Sequence, residues 1–216
     1  MAAADGWALL VDAPRGVVER LDGARALAGL VLTHGHRDAS DGVVELRDLV
    51  GDPPLPVFAS TATFAAVRGR HRPADLDHLE LRDVDPGGRR RRGPWSLRAT
   101  EVPHADSPRF PTYAWRLTAR GRSLVYASDV AELTPRLRRA VRGADLLVLD
   151  GAMYRRSIFS HLRIEEAVPE VCDWNVQRIL LTQIGRSAPR HEELETIVAD
   201  LCDQAAPAYD GMELRL

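Results

Sequence analysis

Thr33-His34-Gly35-His36-Arg37-Asp38 follows the apolar run Leu30-Val31-Leu32. A strand that ends by delivering His, His and Asp at every second position puts three donor side chains into one small volume. Imidazole nitrogens and carboxylate oxygens are the donors that Zn²⁺ and Mn²⁺ take. Two further polar groups stand after apolar runs in the same way: His104 in Glu101-Val-Pro-His and Asp129 in Tyr126-Ala-Ser-Asp. Such strand ends are where loops build sites on a rigid scaffold. For His104 alone a structural role is as good a reading as ligation. His34, His36, His104 and Asp129 together read as a ligand set.

Hydrophobic patterning supplies the elements that must position these groups. Trp7–Val11 and Leu30–Leu32 read as strands, with a short helix around Gly16–Leu21 between them. Val43–Val50 is expected to be helical up to Gly51, Val57–Ala59 a short strand, and Ser60 or Thr61 the cap of a helix running to Arg68. Leu79–Val84, Ser96–Val102, Tyr113–Thr118 and Ser123–Ala127 read as strands, the last two joined by a turn at Arg120-Gly121. A helix is expected from Pro135 to Val141, a strand at Leu146–Leu149, a helix at Glu165–Trp174, a strand at Ile179–Thr182 and a helix at Glu192–Cys202. Glu213–Leu216 reads as a closing strand. This order predicts an α/β chain of two packed sheets with helices outside, a single domain over residues 1–216. The Arg-rich stretch Pro86–Pro94 reads as a solvated loop, with anion steering as the alternative.

The spacing His34-x-His36-x-Asp38, with His104 and Asp129 following in order, resembles the HxHxDH signature of the metallo-β-lactamase superfamily, and the resemblance extends over nearly the whole chain. It implies a four-layer αββα sandwich and a metal-dependent hydrolase. By that resemblance His34, His36 and His104 hold a first Zn²⁺ or Mn²⁺, and Asp129 bridges to a second ion. The chain departs from the signature at Ala39, where the last His belongs, and at Gln183 in Leu181-Thr-Gln-Ile-Gly185, where a late strand should deliver another. Asp38, Asp129 and the Gln183 amide oxygen would then hold only a hard, water-rich ion weakly. The other reading of Asp38 is that it fixes a His tautomer from outside the ligand set. One tight site and a weak or absent second site are therefore expected. Relatives also begin with a glycine-rich strand upstream of the segment matching Trp7–Asp12. Its absence implies N-terminal strands that are partly missing, with a shorter sheet or the second subunit of a homodimer at the exposed edge.

Asp150, which ends the apolar run Leu146–Leu149, and His161 in Ser160-His-Leu-Arg look like the phosphodiesterase branch of that superfamily, which includes tRNA 3′-processing endonuclease (RNase Z) and phosphoribosyl cyclic-phosphate phosphodiesterase. Ala208-Tyr-Asp-Gly-Met-Glu213 also resembles the end of the latter. In that branch a carboxylate orients a His that protonates the leaving oxygen. The resemblance thus assigns His161 as general acid, with Asp150 and Asp38 as further catalytic groups; the other reading of His161 is a residue that covers the start of the following helix. Phosphodiester cleavage expels an alkoxide, which needs a proton donor near neutral pH. The expected activity is hydrolysis of a small phosphodiester, cyclic or not, through a metal-bound hydroxide, the cation lowering the water pKa to about 7. Arg37, Arg109, Arg186 and Gln183 lie in loops beside the motifs and are candidates for substrate contact. Two rivals stand beside this reading. A thioester or lactone hydrolase would have no need of the Asp150/His161 pair. A catalytically silent metal-binding protein draws its support from Ala39 and Gln183.

Composition narrows the partners. The formal net charge is −2, which gives no support to phosphate-backbone binding. RNase Z clamps tRNA with a long projecting arm, and the short loop near Arg89 is no match for it. Nucleic acid is therefore not an expected partner. All 29 Lys and Arg residues are Arg, the mark of a GC-rich coding sequence. Cys172 and Cys202 fall on helical patterns, which predicts no disulfide framework and a cytoplasmic location. The start Met-Ala-Ala-Ala-Asp-Gly lacks the pattern of a signal peptide. No apolar run approaches the ~20 residues of a membrane span, so no membrane partner is expected.

Overall fold

A computed structural model describes residues 1–21, 27–105, 109–155 and 158–216. The chain divides into two compact units, the first comprising residues 1–99 and 109–113 and the second residues 100–105 and 114–216.

In the first unit β1 (Ala2–Ala4), β2 (Trp7–Val11), β3 (Leu27–Val31), β4 (Leu55–Ala59) and β5 (Leu79–Asp83) form a five-stranded sheet in that order. β1 pairs antiparallel with β2, and the remaining pairs are parallel. Parallel neighbours require crossovers. These are α1 (Val17–Arg20), then α2 (Arg37–Ser40) with the 3₁₀ helix Asp41–Leu49, then α3 (Thr61–Arg68). Ser60 caps α3, its hydroxyl accepting the Thr63 N–H at 2.9 Å. Leu10, Leu30, Val43, Leu46, Val57, Phe64 and Val67 form the core of this unit. The patterning gave no hint of β1, three alanines without alternation. Asp5 and Gly6, both at positive φ (52° and 77°), make the tight hairpin that folds β1 onto the edge of β2. β1 thus takes the edge position that the sequence pattern assigns to β2.

β6 (Arg89–Arg92) pairs antiparallel with β7 (Trp95–Val102), where a loop was expected. Backbone pairing needs no apolar side chain, and Gly93 at φ 54° closes the hairpin. A charged edge strand of this kind also discourages pairing with other chains. β8 (Thr112–Ala119) and β9 (Arg122–Ala127) are joined at Arg120-Gly121, both at positive φ, as the turn signal predicts. With β10 (Leu146–Asp150), β11 (Ile179–Thr182) and β12 (Ala205–Pro207) the second sheet runs β12-β11-β10-β9-β8-β7-β6. Strands β9 to β12 are parallel. Helices α4 (Pro135–Val141), α5 (Ile164–Cys172) and α6 (His191–Leu201) complete the second unit. Its core gathers Val125, Leu137, Leu147, Leu149, Ile164, Val168, Leu181, Leu194 and Val198. The closing strand is β12, not Glu213–Leu216. That terminal stretch has strand-like alternation but is exposed throughout, with no face to bury.

Cys172 and Cys202 form a disulfide, with 5.9 Å between their Cα atoms, which corrects the expectation of no disulfide framework. One ends α5 and the other immediately follows α6. Helical periodicity places each thiol on a face but cannot say that the two helix ends meet. The bridge also removes the premise of a cytoplasmic location. Among the described residues no helix is long and apolar enough to cross a membrane.

Candidate active site

In the first unit the site is organised by the ends of β2 and β3. Asp12, just past β2, is buried at φ 57° and accepts the Thr33 N–H at 2.8 Å and the Thr33 hydroxyl at 2.9 and 3.0 Å. The same hydroxyl lies 2.8 Å from His34 Nδ1. A hydroxyl carries one proton; having given it to the carboxylate, it can only accept from Nδ1–H. That puts a proton on His34 Nδ1, and in the neutral ring the lone pair is on Nε2, the atom a cation would take. His34 is fully buried, and the His36 ring meets it edge-on at 4.7 Å. Phe110 lies 5.1 Å from His36. The glycine between the histidines is a steric requirement, since a Cβ there would come within 2.9 Å of the Phe110 ring and 3.0 Å of Ala66.

Arg70 braces this loop. Its guanidinium donates to the Gly35 carbonyl at 2.8 Å, the Ser40 hydroxyl at 2.7 Å and the Asp41 carboxylate at 2.9 Å. Ser40 in turn donates to the His36 carbonyl at 2.6 Å. The sequence reading missed Asp12, Arg70 and Phe110. Asp12 carried a usable signal, a carboxylate directly after an apolar strand. Arg70 carried none, because its role depends on where the end of α3 passes.

Asp38 stands exposed in the first turn of α2, and among the described residues no His ring is hydrogen-bonded to it. The tautomer-fixing role considered for it falls, for His34, to Thr33. Ala39 is buried at 4% exposure. Arg37 is exposed, 3.9 Å from Asp41, and Arg109 is exposed.

In the second unit His104 follows β7 and is buried. Its Nδ1 lies 2.8 Å from the Ser160 carbonyl. A carbonyl only accepts, so Nδ1 carries a proton, and in the neutral ring the lone pair is on Nε2. Nε2 faces Asp129 Oδ1 at 3.9 Å. Asp129 Oδ2 accepts from the Ser128 hydroxyl at 2.6 Å and from Gln183 Nε2 at 3.3 Å. Among the described residues no arginine neutralises this buried carboxylate. Buried charges are paired or coordinate metals, so the donors fit a divalent cation. One ligand atom each from His104, Asp129 and His161 lie within 4.8 Å of one another.

His161 Nδ1 is 2.7 Å from Asp150 Oδ2, and its ring lies 5.1 Å from that of His104. Asp150, at the end of β10, is fully buried and also accepts the Val130 and Ala152 N–H groups, each at 2.9 Å. Burial pushes the Asp150 carboxyl above the ordinary carboxylate range, against the pull of these three donors. The pair is therefore rigid on the Asp150 side and partly open on the His161 side, whose side chain is 19% exposed. That is the arrangement a proton donor needs.

Gln183 departs from expectation. A carboxylate only accepts, so Gln183 turns its amide nitrogen, not its oxygen, toward Asp129. It acts there as a hydrogen-bond donor rather than a ligand. It also holds φ 60°, a strained conformation for a residue other than glycine. Arg186 is exposed in the loop after β11. The second unit thus brings His104, Asp129, Asp150, His161 and Gln183 into one connected cluster, and the first brings together His34 and His36.

A family model described as a beta-lactamase superfamily domain matches residues 6–184. Among solved structures, a diphosphatase of the PhnP family superposes with a TM-score of 0.82 at 21% identity, covering 99% of this chain and 82% of that one. Zn²⁺-bound PqqB from Methylobacterium extorquens superposes with a TM-score of 0.85 at 18% identity, covering 100% of this chain and 86% of that one. An octanoyltransferase of Porphyromonas gingivalis is 22% identical over 198 residues, 88% of this chain and 38% of that protein. The chain spans less than half the length of the curated relatives it matches, 38% and 49% of them.

Proposed function

The chain belongs to the beta-lactamase superfamily, and we propose that within it the protein is a divalent-metal-dependent phosphodiesterase acting on a small molecule. The observation that carries this reading is the Asp150–His161 pair beside His104. An acyl group with a good leaving group needs no proton donor at that place, whereas an alkoxide leaving a phosphodiester does. On the resemblance to the HxHxDH signature, His34, His36, His104 and Asp129 are the residues we assign to one Zn²⁺ or Mn²⁺. When bound, such an ion polarises a phosphoryl oxygen and lowers the pKa of water. Asp150 holds the His161 ring, and His161 delivers a proton to the departing oxygen. Arg37, Arg109 and Arg186 are exposed cations suited to a phosphate. The likeness in fold to a PhnP-family diphosphatase and to a zinc-bound protein supports phosphoester chemistry and a metal.

A second reading, a metal-binding protein without turnover, is favoured by Ala39 and by the Gln183 amide on Asp129. Metal content together with turnover of bis(p-nitrophenyl) phosphate and of a thioester separates them. Diester hydrolysis by the metal-loaded protein supports the first reading. Bound metal with no turnover of either substrate supports the second, and thioester turnover alone refutes both.

A further inference from the structure

Phe159 is the most exposed large apolar side chain among the described residues, at 87%, and it stands two positions before His161. Residues 158–161 form a tight turn closed by the His161 N–H donating to the Ile158 carbonyl at 3.3 Å. Two other positions of this turn are already committed. The Ser160 carbonyl holds His104, and His161 is locked onto Asp150. The turn therefore cannot shift to bury Phe159 without dismantling both contacts. Ile158, beside it, is 41% exposed. With Leu133 and Leu162 these two side chains line an open cavity of about 340 Å³ that His161 shares. That volume lies in the range of small-molecule sites.

Resting on the phosphodiesterase reading, we propose that this cavity seats the leaving alcohol of the substrate, and that the alcohol is apolar, of aromatic size and free of negative charge. A general acid must lie within hydrogen-bond reach of the oxygen it protonates. Whatever is bonded to that oxygen then enters the cavity that His161 lines. Ile158, Phe159, Leu133 and Leu162 offer it an apolar and aromatic wall. Glu132, Glu166, Glu170 and Arg163 line the rest of the cavity; Arg163 is paired with Glu166, and among the described residues no basic side chain pairs with Glu132 or Glu170, so the carboxylates outnumber the cation there. An alcohol bearing a second phosphate or a carboxylate would be repelled there. The step balances as hydrolysis: the phosphorus–oxygen bond to the alcohol breaks, a water oxygen bonds to phosphorus, and the alcohol leaves with the proton from His161.

The test uses the metal-loaded full chain with benzyl methyl phosphate, ethyl methyl phosphate and 4-carboxybenzyl methyl phosphate, the products being read by phosphorus NMR. Benzyl alcohol and methanol are similar in acidity, so which one is released reports on seating. Benzyl alcohol should leave in preference to methanol, and KM for the benzyl ester should be about tenfold below that for the ethyl ester. Phe159→Ala should raise KM for the benzyl ester about tenfold, with kcat and metal content little changed. The carboxybenzyl ester should be disfavoured, and Glu132→Gln with Glu170→Gln should narrow that gap. Release of methanol as readily as benzyl alcohol, an unchanged KM in Phe159→Ala, or equal use of the carboxybenzyl ester would overturn the proposal. A second readout does not need turnover: saturation-transfer NMR should show benzyl alcohol, and not 4-carboxybenzyl alcohol, in contact with the parent and lost from Phe159→Ala. If no diester is hydrolysed while that contact pattern appears, the phosphodiesterase reading fails and the apolar site stands. If the pattern is absent, the site fails whatever the enzyme hydrolyses.

Discussion

Asp150→Asn is the substitution that separates the roles of this carboxylate most cleanly. Asp150 Oδ2 accepts from His161 and from the Val130 N–H, and Oδ1 accepts from the Ala152 N–H. In an asparagine one of those oxygens becomes a donor. If the amide nitrogen replaces Oδ1, the Ala152 N–H loses its acceptor. If it replaces Oδ2, the Val130 N–H does, and His161 must switch tautomer to accept from the amide. Either way one fully buried N–H is stranded, at a cost of about 1–3 kcal/mol. Asp150→Ala strands all three donors and should be far more damaging to the fold. The catalytic effect is separable from this. A neutral amide holds a protonated imidazole less well than a carboxylate, because charge-assisted hydrogen bonds are roughly twice as strong as neutral ones. General-acid help is worth ~10²–10⁴-fold where the departing oxygen needs a proton. Asp150→Asn should therefore lower kcat/KM on an alkyl phosphodiester by up to that factor, and on bis(p-nitrophenyl) phosphate by less than about tenfold, since nitrophenolate leaves without a proton. His161→Ala should show the same split, and the double variant should be no worse than the single, because the two act as one unit. Chemical denaturation gives the stability loss in parallel. Equal losses on both substrates, or a stability loss with unchanged kinetics, would refute the acid role.

Other consequences can be checked directly. The purified protein should retain about one transition-metal ion per chain after extensive dialysis, measured by elemental analysis; the double change Ala39→His with Gln183→His should raise occupancy, and two tightly held ions in the parent would refute the single-site reading. The denatured, unreduced chain should show no titratable thiol, and Cys172→Ser with Cys202→Ser should cost about 3–4 kcal/mol in denaturant unfolding, from the loop that the bridge closes over a sequence separation of 30. Asp145 is held below the ordinary carboxylate range first by its hydrogen bond from Arg122 and then by the Ser123 N–H, so its stabilising effect is present above the unfolded carboxylate pKa and is lost as pH falls through the lowered value. Asp145→Asn should accordingly be less stable than the parent near neutral pH, and the difference should shrink in acid.

What the sequence disclosed and what it withheld follow from the range of the forces involved. Strand ends that deliver His34, His104, Asp129 and Asp150 were legible because an apolar run closing on a polar side chain is a local pattern. The Ser60 cap and the Arg120-Gly121 turn were legible for the same reason. β1 and β6 were missed because neither strand owes its pairing to side chains: three alanines and four arginines present no alternation, and only the partner strand and a positive-φ turn make them strands. The Cys172–Cys202 bridge and the Arg70 brace were missed because each joins residues that become neighbours only after the helices have packed.

At Gln183 the loss is more than a missing imidazole. The amide nitrogen donates to Asp129 Oδ2, and the Ser128 hydroxyl donates to the same oxygen. An ion held through Oδ2 would have to displace at least one of these donors, and it would gain from Gln183 only a neutral carbonyl after the amide had rotated. Oδ1, which faces His104, carries no such burden. The carboxylate is therefore divided in its duties: one oxygen suits a cation shared with imidazoles, and the other is satisfied by the protein itself. This division supports the proposal of one ion rather than two. It leaves His161, held by its own buried carboxylate, as the group in the second unit still suited to moving a proton.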